Sequence, residues 1–246
     1  MGVKNIIIMK KLLFTLALLV SFSSFGQINN AFQERYIENF ENLMVSGNFN
    51  VEISDSIEGK ILVKADDKII DDIITEIKNN SLIIRKKKRS YLNRKDSYWK
   101  EVRIIIPQNP LRKISLSGSG EIFNTSILNT SNCNVVVSGS GKVDLSIKAN
   151  TLDLDNSGSG TMVLRGFAEK IDINISGSGI SKLENLKVKN CDVNISGSGR
   201  ANINCAEKIE ASVSGSGTIT YFDKSLLKIH TKVSGSGSAK PITLNE

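Results

Sequence analysis

The sequence has little of the chemistry from which catalytic sites are usually built. Histidine occurs once in 246 residues, at His230, and no nucleophile stands in a recognisable relation to it. Cysteine occurs three times, and an odd number excludes a framework in which every thiol is paired. Beyond residue 26 no apolar run approaches the roughly 20 residues that a membrane-spanning helix needs. These absences argue against a histidine-activated enzyme, a fully disulfide-bonded scaffold and a helical membrane protein.

The first 26 residues predict a secretory signal peptide. Lys10 and Lys11 precede the apolar run 12–20, and small polar residues follow it up to Gly26. The run is too short to cross a bilayer by itself. We therefore expect an exported protein, located in the periplasm, at the cell surface or outside the cell. Residues 27–44 are interpreted as a lead-in segment.

One tetrapeptide, Ser-Gly-Ser-Gly, organises the rest of the chain. It recurs with steps of 21, 19, 19, 20, 18 and 20 residues. The first serines of the seven tetrads are Ser117, Ser138, Ser157, Ser176, Ser196, Ser214 and Ser234. A period near twenty is typical of a solenoid, whereas flexible linkers would not keep their neighbours in phase. We predict tight corners, in which the glycines permit unusual backbone angles and the serines satisfy backbone groups or one another.

The residues before each tetrad alternate between apolar and polar. Counting back from the first serine, positions −5, −3 and −1 are mostly apolar, as in Ile171, Ile173 and Ile175. This period of two indicates a strand with one buried face, and a less regular alternation follows each tetrad. Each repeat therefore predicts strand, corner, strand and irregular return. Stacked in parallel, the repeats form an all-β, right-handed parallel β-helix, a single-stranded solenoid with coils of about 20 residues.

The predicted β-helix domain spans residues 45–246. Residues 117–240 are its regular repeats, and residues 45–116 are irregular N-terminal coils. Within these coils, 45–53 is interpreted as a degenerate first copy of the repeat and 60–64 as a strand. One or two helical turns are predicted after Asp66-Asp67, and a strand, tight turn and strand around Asn79-Asn80.

The outward positions −4 and −2 carry the first set of candidate binding residues. They are Asp153, Asp155, Asp172, Asp192 and Glu210. In parallel register the acidic residues at position −4 stand one strand spacing apart, where like charges repel. A solvated face with screened repulsion is the favoured interpretation. A calcium ion bridging the carboxylates is the alternative, and no other cofactor or metal is predicted.

A basic segment supplies the second set of candidates. Arg85, Lys86, Lys87, Lys88 and Arg89 open a stretch that carries eight basic residues and one acidic residue by position 100. In an exported protein, anionic glycan or lipid headgroups are better partners for such a patch than nucleic acid. A solvated hairpin tip is the simpler interpretation.

The cysteines are expected to stay reduced. Cys133 and Cys191 share one inward position but lie three coils apart, or roughly 14 Å, whereas a disulfide needs Cα atoms within about 7 Å. Cys205 faces inward on the other strand. We expect three buried thiols that pack as small hydrophobic groups.

Several motifs together resemble a known family. They are Ser-Gly-Ser-Gly after valine or isoleucine, the signal peptide, and Val-Arg-Ile-Ile-Ile-Pro at 102–107 leading into Leu-Arg-Lys-Ile at 111–114. Residues 66–85 add to the resemblance, which covers roughly 45–244. The chain resembles the putative auto-transporter adhesin, head GIN domain family. The resemblance implies a right-handed parallel β-helix on an exported bacterial protein, and the family's name implies adhesion.

We therefore predict an exported, non-enzymatic β-helix that presents a binding or structural surface to a glycan or another cell-envelope polymer. One alternative is a polysaccharide-active enzyme that uses the outward aspartates. Another is a self-assembling envelope component that forms homo-oligomers through its solenoid ends. The segments between tetrads are too short to enclose a cleft, and the outward face lacks aromatic residues on which sugars could stack. Catalysis is therefore disfavoured.

Overall fold

Consecutive repeats pair in parallel and in register in the computed structural model, which describes residues 30–87, 102–222 and 226–242. The opening serines of the tetrads lie opposite one another, so that Ser138 pairs with both Ser117 and Ser157. The same stack continues to Ser234, which lies opposite Ser214. Parallel pairing of each turn with the next makes a β-solenoid of about six turns, which confirms the predicted fold class. The handedness of the coil stays a prediction.

The strands fall into an N-terminal group and a repeat group. The first group is β1 (Asn30–Tyr36), β2 (Asn42–Ser46), β3 (Asn50–Ser54), β4 (Lys60–Asp66), β5 (Ile73–Lys78), β6 (Ser81–Lys86), β7 (Arg103–Pro107), β8 (Lys113–Gly118) and β9 (Glu121–Asn124). The second group is β10 (Leu128–Asn129), β11 (Asn132–Gly139), β12 (Lys142–Gly158), β13 (Thr161–Gly177), β14 (Ile180–Gly197), β15 (Arg200–Gly215), β16 (Thr218–Tyr221), β17 (Lys228–Ser234) and β18 (Ser238–Pro241).

The returns between tetrads are not irregular, and that part of the prediction is wrong. Strands β12 to β15 run for 16 to 18 residues from one tetrad to the next. Their return portions pair with each other, as Ala149 does with Ala168. Differences in repeat length are absorbed by register shifts, such as the one between Leu183 and Lys187. Backbone pairing between turns does not depend on side-chain identity, so the weak side-chain pattern concealed it.

Two sheets share one apolar core. The strands that precede the tetrads form the first sheet, in the order β6, β2, β8, β11, the C-terminal portions of β12 to β15, and β17. The strands that follow the tetrads form the second sheet, in the order β7, β3, β9, the N-terminal portions of β12 to β15, β16 and β18. The predicted inward positions are buried from β11 to β15. Asn156 is buried like the other residues at these positions but is polar, and its Nδ2 donates to Gly160 O at 2.9 Å.

The N-terminal strands extend the solenoid and cover its end. Ser46 lies opposite Ser117, which confirms 45–53 as a degenerate repeat, with a corner at Gly47 between its two strands. Antiparallel strands then close the stack, because β5 pairs with β6 and β1 pairs with β4. The β5–β6 turn is the predicted Asn79-Asn80, both with positive φ. Strand β1 lies within the predicted lead-in segment.

The helix predicted after Asp66-Asp67 is a single 3-10 turn, Ile70–Asp72. The predicted acidic cap is wrong, because Asp66 Oδ1 accepts a hydrogen bond from Lys68 N at 2.9 Å in the turn before it. Ile69 occupies the capping position and makes no side-chain capping bond. Buried Ile69 and Ile70 hold this turn against the core.

The last described turn differs from those before it. Every residue of β17 is exposed, including Ile229 and Val233 at inward positions, which are 37% and 42% exposed. Within the described residues β17 pairs with β15 on one side, and no strand lies along its other edge. The apolar column of the core therefore reaches the surface at this end.

Candidate functional site

The tetrad corners fix the register of both sheets. At Gly158, φ is 118° and an added Cβ would lie 2.8 Å from the carbonyl oxygen of Gly139 in the previous turn. Ser159 N donates to that same oxygen at 2.9 Å, and Thr161 N donates to Gly141 O at 2.9 Å. Backbone groups of neighbouring turns therefore satisfy each other at the corner. The predicted bonding of serine hydroxyls to corner backbone groups is therefore not needed for these N–H groups, and bonding of the serines to one another stays a prediction.

This register places the acidic candidates in one row. Asp172 lies opposite Asp153 on one side and Asp192 on the other, and Glu210 follows Asp192. All four side chains face outward, as predicted. We call this surface of the first sheet the ladder face. It comprises Asp153, Asp155, Asp172, Asn174, Asp192, Asn194 and Glu210.

Two carboxamides connect the row. Asn174 Nδ2 donates to Asp172 Oδ1 at 3.1 Å and to Asp155 Oδ1 at 3.3 Å. Asn194 Nδ2 repeats the arrangement one turn later, bonding Asp192 Oδ1 at 3.1 Å and Asn174 Oδ1 at 3.4 Å. The amides thus link neighbours within a turn and between turns. Their place at the outward position −2 is the sequence signal for this role, and they are additions to the predicted binding residues.

Burial and like charges together raise the pKa of the carboxyl group at the centre of the row. Burial raises the pKa of Asp172 most, and the charges of Asp192 and Asp153 raise it further. At the far end, Lys208 Nζ lies 2.6 Å from Glu210 Oε1, and this bond lowers the pKa of Glu210. Among residues 30–87, 102–222 and 226–242, no three acidic, histidine or cysteine side chains are grouped as metal ligands. The calcium alternative therefore has no ligand set in the described structure.

A groove of about 360 Å³ runs beside the row. Its lining comes from four consecutive turns and combines apolar surface with carboxylate, carboxamide and hydroxyl groups. The lining residues are Asp155, Asn156, Ser157, Asn174, Ile175, Ser176, Asn194, Ile195, Ser196, Ser212 and Ser214. Equivalent groups recur at the strand spacing of about 4.8 Å. The tetrad serines therefore contribute hydroxyls to the groove as well as lying at the corner.

The outward surface of the second sheet is built differently. Lys142 Nζ lies 2.9 Å from Glu121 Oε1 and 3.0 Å from Asp144 Oδ2, and Asp144 also bonds Arg165. We call these four residues the bridged face. Burial alone would raise the pKa of Asp144, but hydrogen bonds from Arg165 and Lys142 outweigh it and lower that pKa.

Comparison with known proteins places the chain in a family. Residues 39–224 match the family described as "Putative auto-transporter adhesin, head GIN domain". The chain belongs to this family. No curated protein is similar enough to count as a relative.

Solved structures share the head GIN fold. A putative adhesin from Bacteroides fragilis has a TM-score of 0.75 at 23% identity, covering 87% of this chain and 97% of its own. A putative lipid binding protein from Parabacteroides distasonis has a TM-score of 0.66 at 21% identity, covering 89% and 98%. A putative adhesin from Parabacteroides merdae has a TM-score of 0.64 at 19% identity, covering 89% and 98%. At these identities the likeness shows the fold.

The basic candidates of this head GIN domain lie apart from the ladder face. Arg85 and Lys86 end β6, Lys87 follows them, and Lys88 and Arg89 lie outside the described residues. Strand β6 is four strands from β12 in the first sheet, a separation of roughly 19 Å. The structure therefore does not bring the two predicted sets together. No helix within the described residues has the length and apolarity to cross a bilayer.

Proposed function

We propose that this protein is exported and non-enzymatic, and that its ladder face binds a hydroxyl-rich polymer such as a glycan of the cell envelope or a neighbouring surface. The observation that carries the proposal is the in-register row of carboxylate and carboxamide groups beside a surface groove. Hydroxyl-rich chains need hydrogen-bond donors and acceptors together. Asn174 and Asn194 supply acceptor oxygens, and the serine hydroxyls of the groove supply donors.

Repetition suits a polymer better than a small molecule. Each turn presents one equivalent set of groups at a spacing of about 4.8 Å, so an extended chain can contact several turns at once. A single exposed hydrogen bond contributes only about 1 kcal/mol because water competes for it. Several such contacts on one polymer raise the overall affinity through their number.

The enzyme alternative has less support. A catalytic acid and base need an enclosed site that holds the reacting bond and excludes water. Asp153 and Glu210 are exposed, Asp172 and Asp192 are partly exposed, and the groove beside them lies open along the sheet. Release of reducing sugar from acidic polysaccharides by the purified protein would overturn the non-enzymatic proposal.

A glycan array with and without calcium tests the binding proposal. The wild-type protein is compared with the double variant Asn174→Ala/Asn194→Ala. The matched control is Asn202→Ala, which removes an outward carboxamide of the second sheet that bonds Glu184 Oε1 at 2.6 Å. We expect the double variant alone to lose binding, with no effect of calcium. Binding that survives in the double variant but is lost on neutralising Lys86 and Lys87 would place the site on the basic segment instead.

A second candidate function, self-association through the C-terminal turn, is favoured by the exposed apolar residues there. Leu226 is 85% exposed, and Ile229 and Val233 occupy inward positions that no further turn among the described residues covers. An antiparallel pair of β17 strands centred on Thr231 would set Ile229 opposite Val233 of a second copy. Lysines at the same edge oppose this pairing electrostatically, so we expect it to strengthen with salt.

Sedimentation at several protein concentrations tests this second candidate. Val233→Lys is expected to abolish association, because it places a charge opposite the apolar Ile229 of the second copy. Ile127→Lys changes a residue that is 57% exposed elsewhere on the solenoid, and it serves as the control. A wild-type mass that stays monomeric at every concentration and salt level would rule out the candidate.

A further inference from the structure

Two buried cysteines meet at one return corner of the solenoid. The Cys205 thiol on β15 lies 2.9 Å from Lys208 O and 3.3 Å from Lys189 O, which is on β14. Lys189 is two residues before Cys191, and Lys208 directly precedes Ile209, the residue opposite Cys191. The Cys205 thiol also forms a side-chain hydrogen bond with Cys191. Thiols on two consecutive turns therefore face each other.

Cys133 provides a contrast within the same core. Burial, reinforced by the charge of Asp153, raises the pKa of Cys133 to about 12. The hydrogen bond with Cys191 lowers the pKa of Cys205 although burial opposes it, and backbone groups of residues 206–208 lower it further. The thiolate is the form that attacks disulfides. Cys205 is therefore suited to thiol–disulfide exchange and Cys133 is not.

We propose that Cys191 and Cys205 form a disulfide that joins two consecutive turns when the protein meets a disulfide donor. All three cysteines lie in the described part of the chain, and none is in a disulfide in this structure. The Cys205 thiolate attacks one sulfur of the donor, RS–SR, which gives a mixed disulfide and releases RS⁻. The deprotonated Cys191 then attacks the Cys205 sulfur and releases the second RS⁻. The two protein thiols lose two protons, and the donor takes up two electrons to become two thiols.

The corner has the features that such a reaction needs. Cys191 is 4% exposed and Cys205 is fully buried, so exchange occurs during folding or when the corner opens. A surface cleft of about 540 Å³ is lined by Val188, Lys189, Asn204 and Ala206, two of which are the chain neighbours of Cys205. The β14–β15 register shifts between Val188 and Asn190, which marks this corner as a weak point of the pairing.

Oxidative refolding tests the proposal in vitro. The purified chain is unfolded with reductant, refolded with oxidised and reduced glutathione, then denatured and alkylated for mass spectrometry. We expect a product that has lost two hydrogen atoms and is alkylated only at Cys133. The Cys133→Ser variant should form the same bond, whereas Cys191→Ser and Cys205→Ser should form no intramolecular disulfide.

Two results would overturn the proposal. One is three alkylated thiols in protein that has regained its native circular dichroism spectrum in excess oxidised glutathione, and the other is a bond that includes Cys133. As a second readout, Cys133→Ser should melt at a higher temperature without reductant than with it, and Cys133→Ser/Cys191→Ser should show no such difference.

Formation of the disulfide in a cell rests on the proposed export, since exported compartments supply the oxidant. A bond that forms in vitro but is missing from protein isolated from its native cells would count against export and not against the disulfide.

Discussion

The two outward faces of the solenoid come from the same repeat, but one places opposite charges next to each other and the other places like charges next to each other. On the bridged face, Lys142 lies between Glu121 and Asp144, so each charge has an opposite neighbour. On the ladder face, Asp153, Asp172 and Asp192 lie opposite one another in successive turns. Parallel stacking therefore does not force like charges together. Burial, together with the charges of Asp192 and Asp153, raises the pKa of Asp172, so the charged row does not stabilise the fold, and this difference supports a binding role for the ladder face.

The largest expected effect comes from the corner that holds both faces in register. Gly158→Ala adds a Cβ at 2.8 Å from a backbone oxygen, at a φ of 118° that side chains rarely adopt. Because the clash is with backbone, no flexible side chain can relieve it. We expect a loss of about 3 kcal/mol, or a fall of roughly 10 °C in the thermal unfolding midpoint.

Gly59→Ala is the matched control for this substitution. Gly59 also has a positive φ, 64°, but an added Cβ would meet nothing within 4 Å. Its expected cost is about 1 kcal/mol, from backbone strain alone. Equal losses in the two variants would contradict the conclusion that close packing of the corners fixes the register.

The next effect concerns the bridged face. Asp144→Asn leaves Lys142 and Arg165 without their shared carboxylate, and we expect a loss of about 1 kcal/mol at pH 7. The folded-state pKa of Asp144 lies below its usual value of 3.8, so its stabilising contribution is present above that pH and is lost as the pH falls through the lowered pKa. The variant and the wild type should therefore approach the same thermal unfolding midpoint below about pH 4. A difference that stays constant down to pH 2 would refute the ion-pair explanation.

The smallest effect concerns the ladder face and has the opposite sign. The folded-state pKa of Asp172 lies above its usual value of 3.8, so wild-type stability falls as the pH rises from 3.8 through the raised value. Asp172→Asn removes this penalty, and after solvent screening we expect a gain of up to about 0.5 kcal/mol at pH 7. The part of the gain that comes from the charges of Asp192 and Asp153 should shrink in 1 M salt, where the Debye length is about 3 Å, and the part that comes from burial should remain. A loss as large as that of Asp144→Asn would show that the two faces do not differ in this way.

Much of the fold could be predicted because it depends on a strict period. The alternation before each tetrad placed residues such as Ile173 and Val193 in the core, and the repeat length gave the parallel stacking. The return corners could not be predicted, since their lengths vary and their pairing uses backbone groups. For the same reason the contact between Cys191 and Cys205 was missed, because it depends on where the register shifts.

The candidate site was predicted in part. The row of outward acidic residues follows from the period and is present. The roles of Asn174 and Asn194 were missed, because a hydrogen-bond network between turns depends on side-chain geometry and not on charge. The distance between Arg85 and the acidic row could not be predicted either, because β6 is positioned by pairing with β2, which lies about 40 residues earlier in the sequence.

The most direct test of the proposed function is a titration of the strongest array glycan against three proteins. They are the wild type, Asn174→Ala/Asn194→Ala on the ladder face and Asn202→Ala on the second sheet. We predict that the ladder variant binds at least about tenfold more weakly, as expected for two lost hydrogen bonds, and that the control binds like the wild type. Wild-type affinity in the ladder variant, with its folded structure intact, would contradict the proposal that the ladder face is the binding surface.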